Sequence, residues 1–522
     1  MHLTAGLHRS MQRDPDGIAI IDGSHEITFT ELADRVARLA SGLRSLGARP
    51  GDRIGMLSIN SPRYLEYLLA CLWGGFVFAP VNSRWSVEEM NYQINDAGIG
   101  LLIADEPGSA QASELRQKSP ALRELVFSGS DRLPEGFTDY EQLICGSDPI
   151  GDCRLGGGSL AGILYTGGTT GTPKGVMISP EQLLVSALGT LVTVGGPNAP
   201  ERFLHVSPLY HLAALASMLQ QLQLGSTHVV LGDFDVPTLV ETIQQHRITA
   251  TTLVPTMIAR LVAYVESTGA NISSLARLGY GASPISQTAL RDVQRVLPGI
   301  ELCQRYGMTE LGPVATVLTP EDHRDEAHPE RLKSAGRAAA HAEVRVIAAD
   351  DEELPVGEIG EVVVRGGNLM LGYWNKPEET AQALRGGWMH TGDVGYFDRS
   401  GYLYVIDRLK DMIVSGGENV YSAEVEKVLA LHPAVATCAV IGVPDDDWGE
   451  RVHAVVVLRA GAQVTAAQLR EHCSTHIARY KAPRTVLFVE ELPLSPVGKI
   501  LKRELRLRHS APSSSHSATG SS

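Results

Sequence analysis

Residues 53–81 read RIGMLSIN, SPRYLEYLLACLWGG and FVFAPV, and the order of these three pieces decides the fold. Arg53–Ile59 is an apolar run of strand length. Ser61-Pro62 fits an N-cap followed by the first helical position, where proline has no needed N–H to lose. Tyr64–Trp73 carries the helix, and Phe76–Val81 is a second strand. Strands joined through a helix pair in parallel, so the segment predicts a layered α/β fold.

Outward from this unit the same texture repeats. Thr28 with Glu31 forms a capping box, and Leu32, Val36, Leu39, Leu43 and Leu46 follow at helical spacing until Gly47. Strand and helix patterns alternate to about residue 310. From Glu343 the text becomes β-rich: Val344, Val346, Ile359, Val362 and Val364 stand among turn signals such as Leu354-Pro355-Val356-Gly357. After Asp407–Asp411 it becomes α+β, with helices over Glu424–Leu431 and Ala466–His476 and strands over Ala436–Val443 and Arg451–Leu458. The expected organisation is a large α/β domain with a β-rich subdomain over 1–409, a small mobile α+β domain over 410–508, and a disordered Ser-rich tail over 509–522.

Composition narrows the function classes. The chain has 522 residues, 43% hydrophobic and 20% charged, too many for one core. A net charge of −14 argues against wholesale nucleic-acid binding. Six cysteines without CxxC spacing argue against a zinc ribbon and suit a reducing compartment. The longest apolar run, Leu68–Val81, is interrupted by Gly74, Gly75 and Pro80 and is too short to span a membrane. With no apolar core of signal-peptide length near the N-terminus, a cytoplasmic location is expected.

Four blocks carry chemistry. The first is Thr166-Gly167-Gly168-Thr169-Thr170-Gly171-Thr172-Pro173-Lys174-Gly175, which follows a strand. Its glycines let backbone N–H groups approach phosphate oxygens, its threonines add hydroxyls, and Lys174 adds a positive charge. Pro173 stands where a Walker loop needs glycine, so this is a different phosphate loop. Gly156–Ala161 satisfies GxGxxA but precedes a strand, and reads as a linker. The second block is Tyr306-Gly307-Met308-Thr309-Glu310: a ring for a base, a hydroxyl for phosphate and a hard carboxylate for a divalent cation. The third is Trp388-Met389-His390-Thr391-Gly392-Asp393, with Arg408 some way after it. The fourth is Pro493–Lys499.

In this order the blocks resemble the adenylate-forming superfamily, which includes acyl-CoA synthetases, luciferase and adenylation domains, and within it the acyl-CoA ligase branch. The resemblance runs from about residue 8 to residue 508. It implies ATP, Mg²⁺ and coenzyme A, a small carboxylic acid as partner, and a fold compatible with a homodimer. Thr166, Gly167, Gly168, Thr169, Thr170, Gly171 and Lys174 are implied to hold phosphates. Gly167 stands where many members carry serine, which removes one hydroxyl. The resemblance implies that Gly281, Ala282 and Ser283 line the adenine, that the Tyr306 ring before Gly307 stacks on it with Gly307 part of the binding segment, and that Thr309 meets a phosphate oxygen. Glu310 and Thr166 hold the metal. Asp393 and Arg408 take the ribose, and Lys410 is the hinge.

Lys499, His211, Thr166 and Glu310 are the implied catalytic set. A carboxylate attacking an α-phosphate brings two anions together, and a lysine cation bridging them lowers that barrier, a term worth roughly 3 kcal/mol per donor. Gly417 and Trp448 are implied to face the pantetheine arm, and Lys481 and Arg484 the nucleotide phosphates of coenzyme A. Ala482 replaces a basic residue of one aryl ligase branch. Tyr210, His211, Tyr280, Arg305 and Met308 are implied by the resemblance to line the acyl pocket. Arg305 leaves two readings open: turned inward unpaired it asks for a substrate polar or anionic at its far end, and turned outward or paired it allows an apolar one. The expected activity is ligation of a fatty or aryl monocarboxylate to coenzyme A through an acyl-adenylate. The alternatives are a malonate-type dicarboxylate ligase or an enzyme loading a carrier-protein thiol.

Overall fold

The computed structural model describes residues 1–166, 173–197, 199–283, 285–415, 418–445, 448–494 and 500–509. The expectations placed on Gly167, Gly168, Thr169, Thr170, Gly171, Gly417, Lys499 and the tail lie outside the described residues. The protein is a mixed α/β chain with a large N-terminal and a small C-terminal portion.

Two compact units divide it. The larger comprises Met1–Arg345, Val363–Thr391 and Asp398–Tyr404, and the smaller Val346–Val362, Gly392–Phe397 and Val405–Ser522. The division runs through the four strands Ala342–Ile347, Gly360–Gly366, Met389–Phe397 and Leu403–Arg408, which form the β-rich region expected after Glu343.

In the larger unit, Arg53–Leu57 pairs in parallel with Val77–Pro80 and with Ile99–Ala104, as strand–helix–strand order requires. These strands sit inside an eight-stranded sheet that continues through Gly162–Thr166, Lys174–Ile178 and Gly372–Tyr373. A nine-stranded sheet holds Ile18–Asp22, Arg202–His205, Thr227–Val230, Ala250–Leu253, Arg277–Gly281 and Glu301–Tyr306, largely in parallel.

The main core buries Ile20 of the second sheet and Met56 and Ile103 of the first together with helices Phe29–Ser45, Pro62–Gly74 and Leu212–Leu224. The Thr28–Glu31 capping box forms as expected. Ser61 occupies the N-cap with Pro62 behind it, yet its side chain makes no cap bond. Glu66 is buried, and Arg35 grips it through Nε at 2.5 Å while Tyr140 donates to its other oxygen at 2.8 Å, which neutralises a charge the core could not otherwise hold.

In the smaller unit, Val435–Asp445 and Gly449–Leu458 form a long antiparallel pair, flanked by Ile413–Ser415 and Thr485–Phe488. Helices Ser422–Ala430 and Ala466–His476 cover it, with Val425, Leu429, Leu469 and Cys473 buried beneath them.

The strands that lead to the acyl segment carry a buried histidine pair. His205 and His228 lie at 3.0 Å between Nε2 and Nδ1, with stacked rings. Burial lowers both pKa values, that of His228 to about 3. A lowered folded pKa means the pair's stability is complete above the unfolded value near 6.5 and is lost as pH falls below it. The unfolding free energy from urea titrations should therefore fall between pH 6.5 and 4, by up to about 1.4 kcal/mol per pH unit for each imidazole. In His228→Leu that decline should be shallower.

Candidate functional site

The phosphate-loop ends form a hairpin. Gly162–Thr166 and Lys174–Ile178 are antiparallel, and Thr166 sits opposite Lys174 at its mouth. Lys174 and Gly175 thus belong to a strand, where the sequence reading had them in the loop. Lys174 pairs with Glu379, and its ammonium lies 5.0 Å over the ring of Tyr373. Tyr373 is held opposite Val176 by a short strand pairing.

The Tyr373 hydroxyl donates to Glu310 Oε1 at 2.9 Å. Burial and the Glu310 carboxylate both push the phenol pKa up, so it remains a donor. Glu310 is only 5% exposed and lies in the turn Thr309–Leu311, which packs beside Lys174–Ile178. Its backbone carbonyl accepts from Met370 N–H at 2.9 Å, and Asn368 donates to the Leu311 carbonyl at 2.8 Å. A buried carboxylate beside a hairpin of hydroxyl and amine groups fits a hard divalent cation with phosphates, and Thr166 and Glu310 are the oxygen donors available.

The segment expected to meet adenine is shaped by backbone. Gly281 lies opposite Arg305, and a Cβ on it would overlap the Arg305 carbonyl. A Cβ on Gly307 would overlap the Pro313 carbonyl, so the turn after Tyr306 accepts only glycine. Ala282 has φ 65°, a left-handed value that costs a non-glycine residue roughly 1 kcal/mol. Ser283 follows it without regular structure, and Met308 packs against the main core.

The acyl candidates divide between two faces of one sheet. Directly opposed residues share a face and neighbours along a strand alternate. Arg305 therefore lies with Gly281, Cys303 and Gly279, while Tyr280 lies with Gln304 on the other side. Tyr280 is buried and its hydroxyl meets His323 Nε2 at 2.8 Å, which removes it from the face of Arg305. Arg305 Nε is buried without a hydrogen-bond partner, while the side chain otherwise hydrogen-bonds the Cys303 thiol on the same face. The Tyr210 hydroxyl is also buried without a partner, and the Tyr210 and His211 rings are 4.5 Å apart.

The segment bearing Tyr210 and His211 is fixed by a residue the sequence did not single out. Asn60 Nδ2 donates to the Val206 and Ser207 carbonyls at 3.1 and 3.0 Å, and its Oδ1 accepts from Leu209 N–H at 2.8 Å. Asn60, Tyr373, Asn368 and Glu379 are far in sequence from what they hold, and no local pattern marks them.

In the smaller unit, Arg408 Nε lies 3.0 Å from Asp393 Oδ1, bringing the two ribose candidates together. Gly392 N–H donates to Glu361 at 3.1 Å, which fixes the turn before Asp393. Lys410 lies in the short turn Leu409–Asp411 with its side chain exposed. The guanidinium of Arg484 sits 3.9 Å over the ring of Trp448. Lys481, by contrast, is paired with Glu424 at 2.7 Å, so its charge is already answered.

Residues 7–374 match the AMP-binding enzyme family, and residues 424–499 match the AMP-binding enzyme C-terminal domain. The chain is 40% identical over 503 residues to a feruloyl-CoA synthase of Amycolatopsis sp, covering 96% of this chain and 97% of that one. It is 35% identical over 509 residues to an indoleacetate–CoA ligase of Aromatoleum aromaticum, covering 97% and 98%. The solved o-succinylbenzoate CoA synthetase of Bacillus subtilis, in complex with its acyl-adenylate intermediate, superposes with a TM-score of 0.84 at 31% identity, covering 96% and 97%.

The Tyr373 bond to Glu310 has a measurable consequence. Tyr373→Phe removes a charge-assisted hydrogen bond, so the MgATP concentration for half-maximal adenylation should rise about tenfold. Initial rates against MgATP check this, with the thermal midpoint as the control for folding.

Proposed function

The chain belongs to the AMP-binding enzyme family, and on that premise we propose that it is an AMP-forming acyl-CoA ligase for an aromatic monocarboxylate bearing a polar ring substituent. The acid's carboxylate oxygen attacks the α-phosphorus of ATP, pyrophosphate leaves, and an acyl-adenylate forms. The thiol of coenzyme A then attacks the acyl carbon, AMP leaves, and a thioester remains.

The observation that carries the choice of acid is the pair of buried polar atoms without partners, Arg305 Nε and the Tyr210 hydroxyl. A buried donor with nothing to bond costs about 1–3 kcal/mol. A fatty tail leaves that cost standing, whereas a phenolic or methoxy oxygen relieves it. The similarity to a feruloyl-CoA synthase and an indoleacetate–CoA ligase supports the same class.

Thr166 and Glu310 are the groups we assign to Mg²⁺, which screens the phosphate charge when bound. Lys499 is assigned to bridge the attacking carboxylate and the α-phosphate. The phosphates of ATP are assigned to residues 166–174, the adenine to Gly281–Ser283 and Tyr306–Gly307, and the ribose to Asp393 and Arg408. His211 is assigned to the acyl carboxylate, and Trp448, Arg484 and Gly417 to coenzyme A. We place the functional boundary at Lys410, with residues 410–508 as the portion that moves between half-reactions. We assign the chain to the cytoplasm; no helix among the described residues is long and apolar enough to cross a membrane.

Pyrophosphate release with ATP and Mg²⁺ tests the reading across hydroxylated and methoxylated aryl acids, unsubstituted aryl acids, fatty acids and dicarboxylic acids, with and without coenzyme A. Release should be strongest with substituted aryl acids and end in a thioester. Preference for a dicarboxylate, or release without consumption of coenzyme A, would overturn it. Arg305→Leu should cut kcat/KM for the substituted acid by about tenfold or more, with a smaller effect on the unsubstituted one.

A further inference from the structure

The segment that carries Lys499 is bounded by two described residues that bridge each other. Leu494 and Ile500 form an antiparallel bridge, and Leu501 N–H donates to the Pro493 carbonyl at 2.8 Å. Helix Lys502–His509 begins immediately afterwards, with Leu505 buried in a small core formed with Ile441, Val443 and Leu492. Whatever holds this helix holds the exit of the lysine segment.

Two basic side chains of the helix reach the two ends of the hinge turn. Lys502 Nζ donates to Ser422 Oγ at 2.6 Å and pairs with Glu426 at 2.8 Å. Ser422 Oγ in turn donates to Asp407 Oδ2 at 2.7 Å, and Asp407 Oδ1 accepts from Arg408 N–H at 2.7 Å. One turn along, Arg506 Nη2 donates to Asp411 Oδ1 at 2.7 Å. Asp407 lies before Arg408–Lys410 and Asp411 after it. The cations stand four residues apart and share one helix face. Their partners are largely buried: the Glu426 side chain is 22% exposed and that of Asp411 13%. Bonds of this kind to charged groups in poorly solvated positions are stronger and better directed than surface ion pairs.

We propose that Lys502 and Arg506 are positioning residues for adenylation, tying the exit of the Lys499 segment to both sides of Lys410. The proposal rests on the role assigned above to Lys499. A lysine that must bridge two anions tolerates little displacement, so a loosened exit costs rate in the step that uses it. Transfer from a ready-made adenylate does not use Lys499 and is spared.

The test separates the half-reactions in the full-length enzyme, using the best acid of the panel. In Arg506→Gln and Lys502→Met, acid-dependent ATP–pyrophosphate exchange should fall about tenfold or more, while thioester formation from supplied acyl-adenylate and coenzyme A stays within about threefold. Lys502→Arg, which keeps the charge and its reach, should retain most of the exchange. The paired reversal Arg506→Asp with Asp411→Arg should recover exchange relative to either single change, the signature of a direct coupling. Equal loss of both half-reactions with a lowered thermal midpoint would reduce the helix to structural support and overturn the proposal. Unchanged exchange in both single variants would overturn it as well. Lys499→Ala serves as the reference: selective loss of exchange there, without it in the helix variants, refutes the positioning role alone, whereas intact exchange in Lys499→Ala refutes the assignment to Lys499 itself.

Discussion

Tyr373 is the contact on which the phosphate end of the site depends. Its hydroxyl holds Glu310, its ring lies beneath the Lys174 ammonium, and its backbone pairs with Val176. One side chain thereby fixes an acid and a base that belong to distant parts of the chain. Glu310 is buried, and the hydrogen bond donated by Tyr373 offsets part of the cost of taking its carboxylate out of water. It also ties the hairpin strand Lys174–Ile178 to the turn after Tyr306.

A different economy governs the acyl side. There the protein invests in holding backbone rigidly and leaves polar atoms unanswered. Asn60 satisfies two carbonyls and one N–H of the segment that presents Tyr210 and His211, and Asp105 secures the turn before Asn60 by accepting from Ser58 Oγ and Ile59 N–H, each at 2.8 Å. Against that fixed frame, the bare Tyr210 hydroxyl and Arg305 Nε stand out. Cores avoid such groups unless something else completes them. The same contrast appears in the smaller unit, where Lys481 is paired with Glu424 while the Arg484 guanidinium rests on the Trp448 ring.

Much of this was legible beforehand. The capping box at Thr28, the helix Ala466–His476 and the parallel pairing around Arg53–Leu57 follow from periodicity and cap chemistry, which act over a few residues. They could not say that Tyr280 and Arg305, both expected in one pocket, lie on opposite faces, because facing depends on how adjacent strands align. Nor could they show that Lys174 opens a strand: the pairing of Thr166 with Lys174 is a long-range event written in backbone hydrogen bonds.

The sequence by itself determined the α/β class, the order of the chemical blocks and the residue types each block offers. Those properties are local, set by backbone preference and by what a side chain can donate or accept. Only the tertiary structure decided which of those groups are already satisfied within the protein and which are not. Lys174 with Glu379, Lys481 with Glu424 and Tyr280 with His323 are settled within the protein, while Arg305 Nε and the Tyr210 hydroxyl are not. Satisfaction of a buried polar group is a property of its neighbours in space, and those neighbours lie scores to hundreds of residues away along the chain.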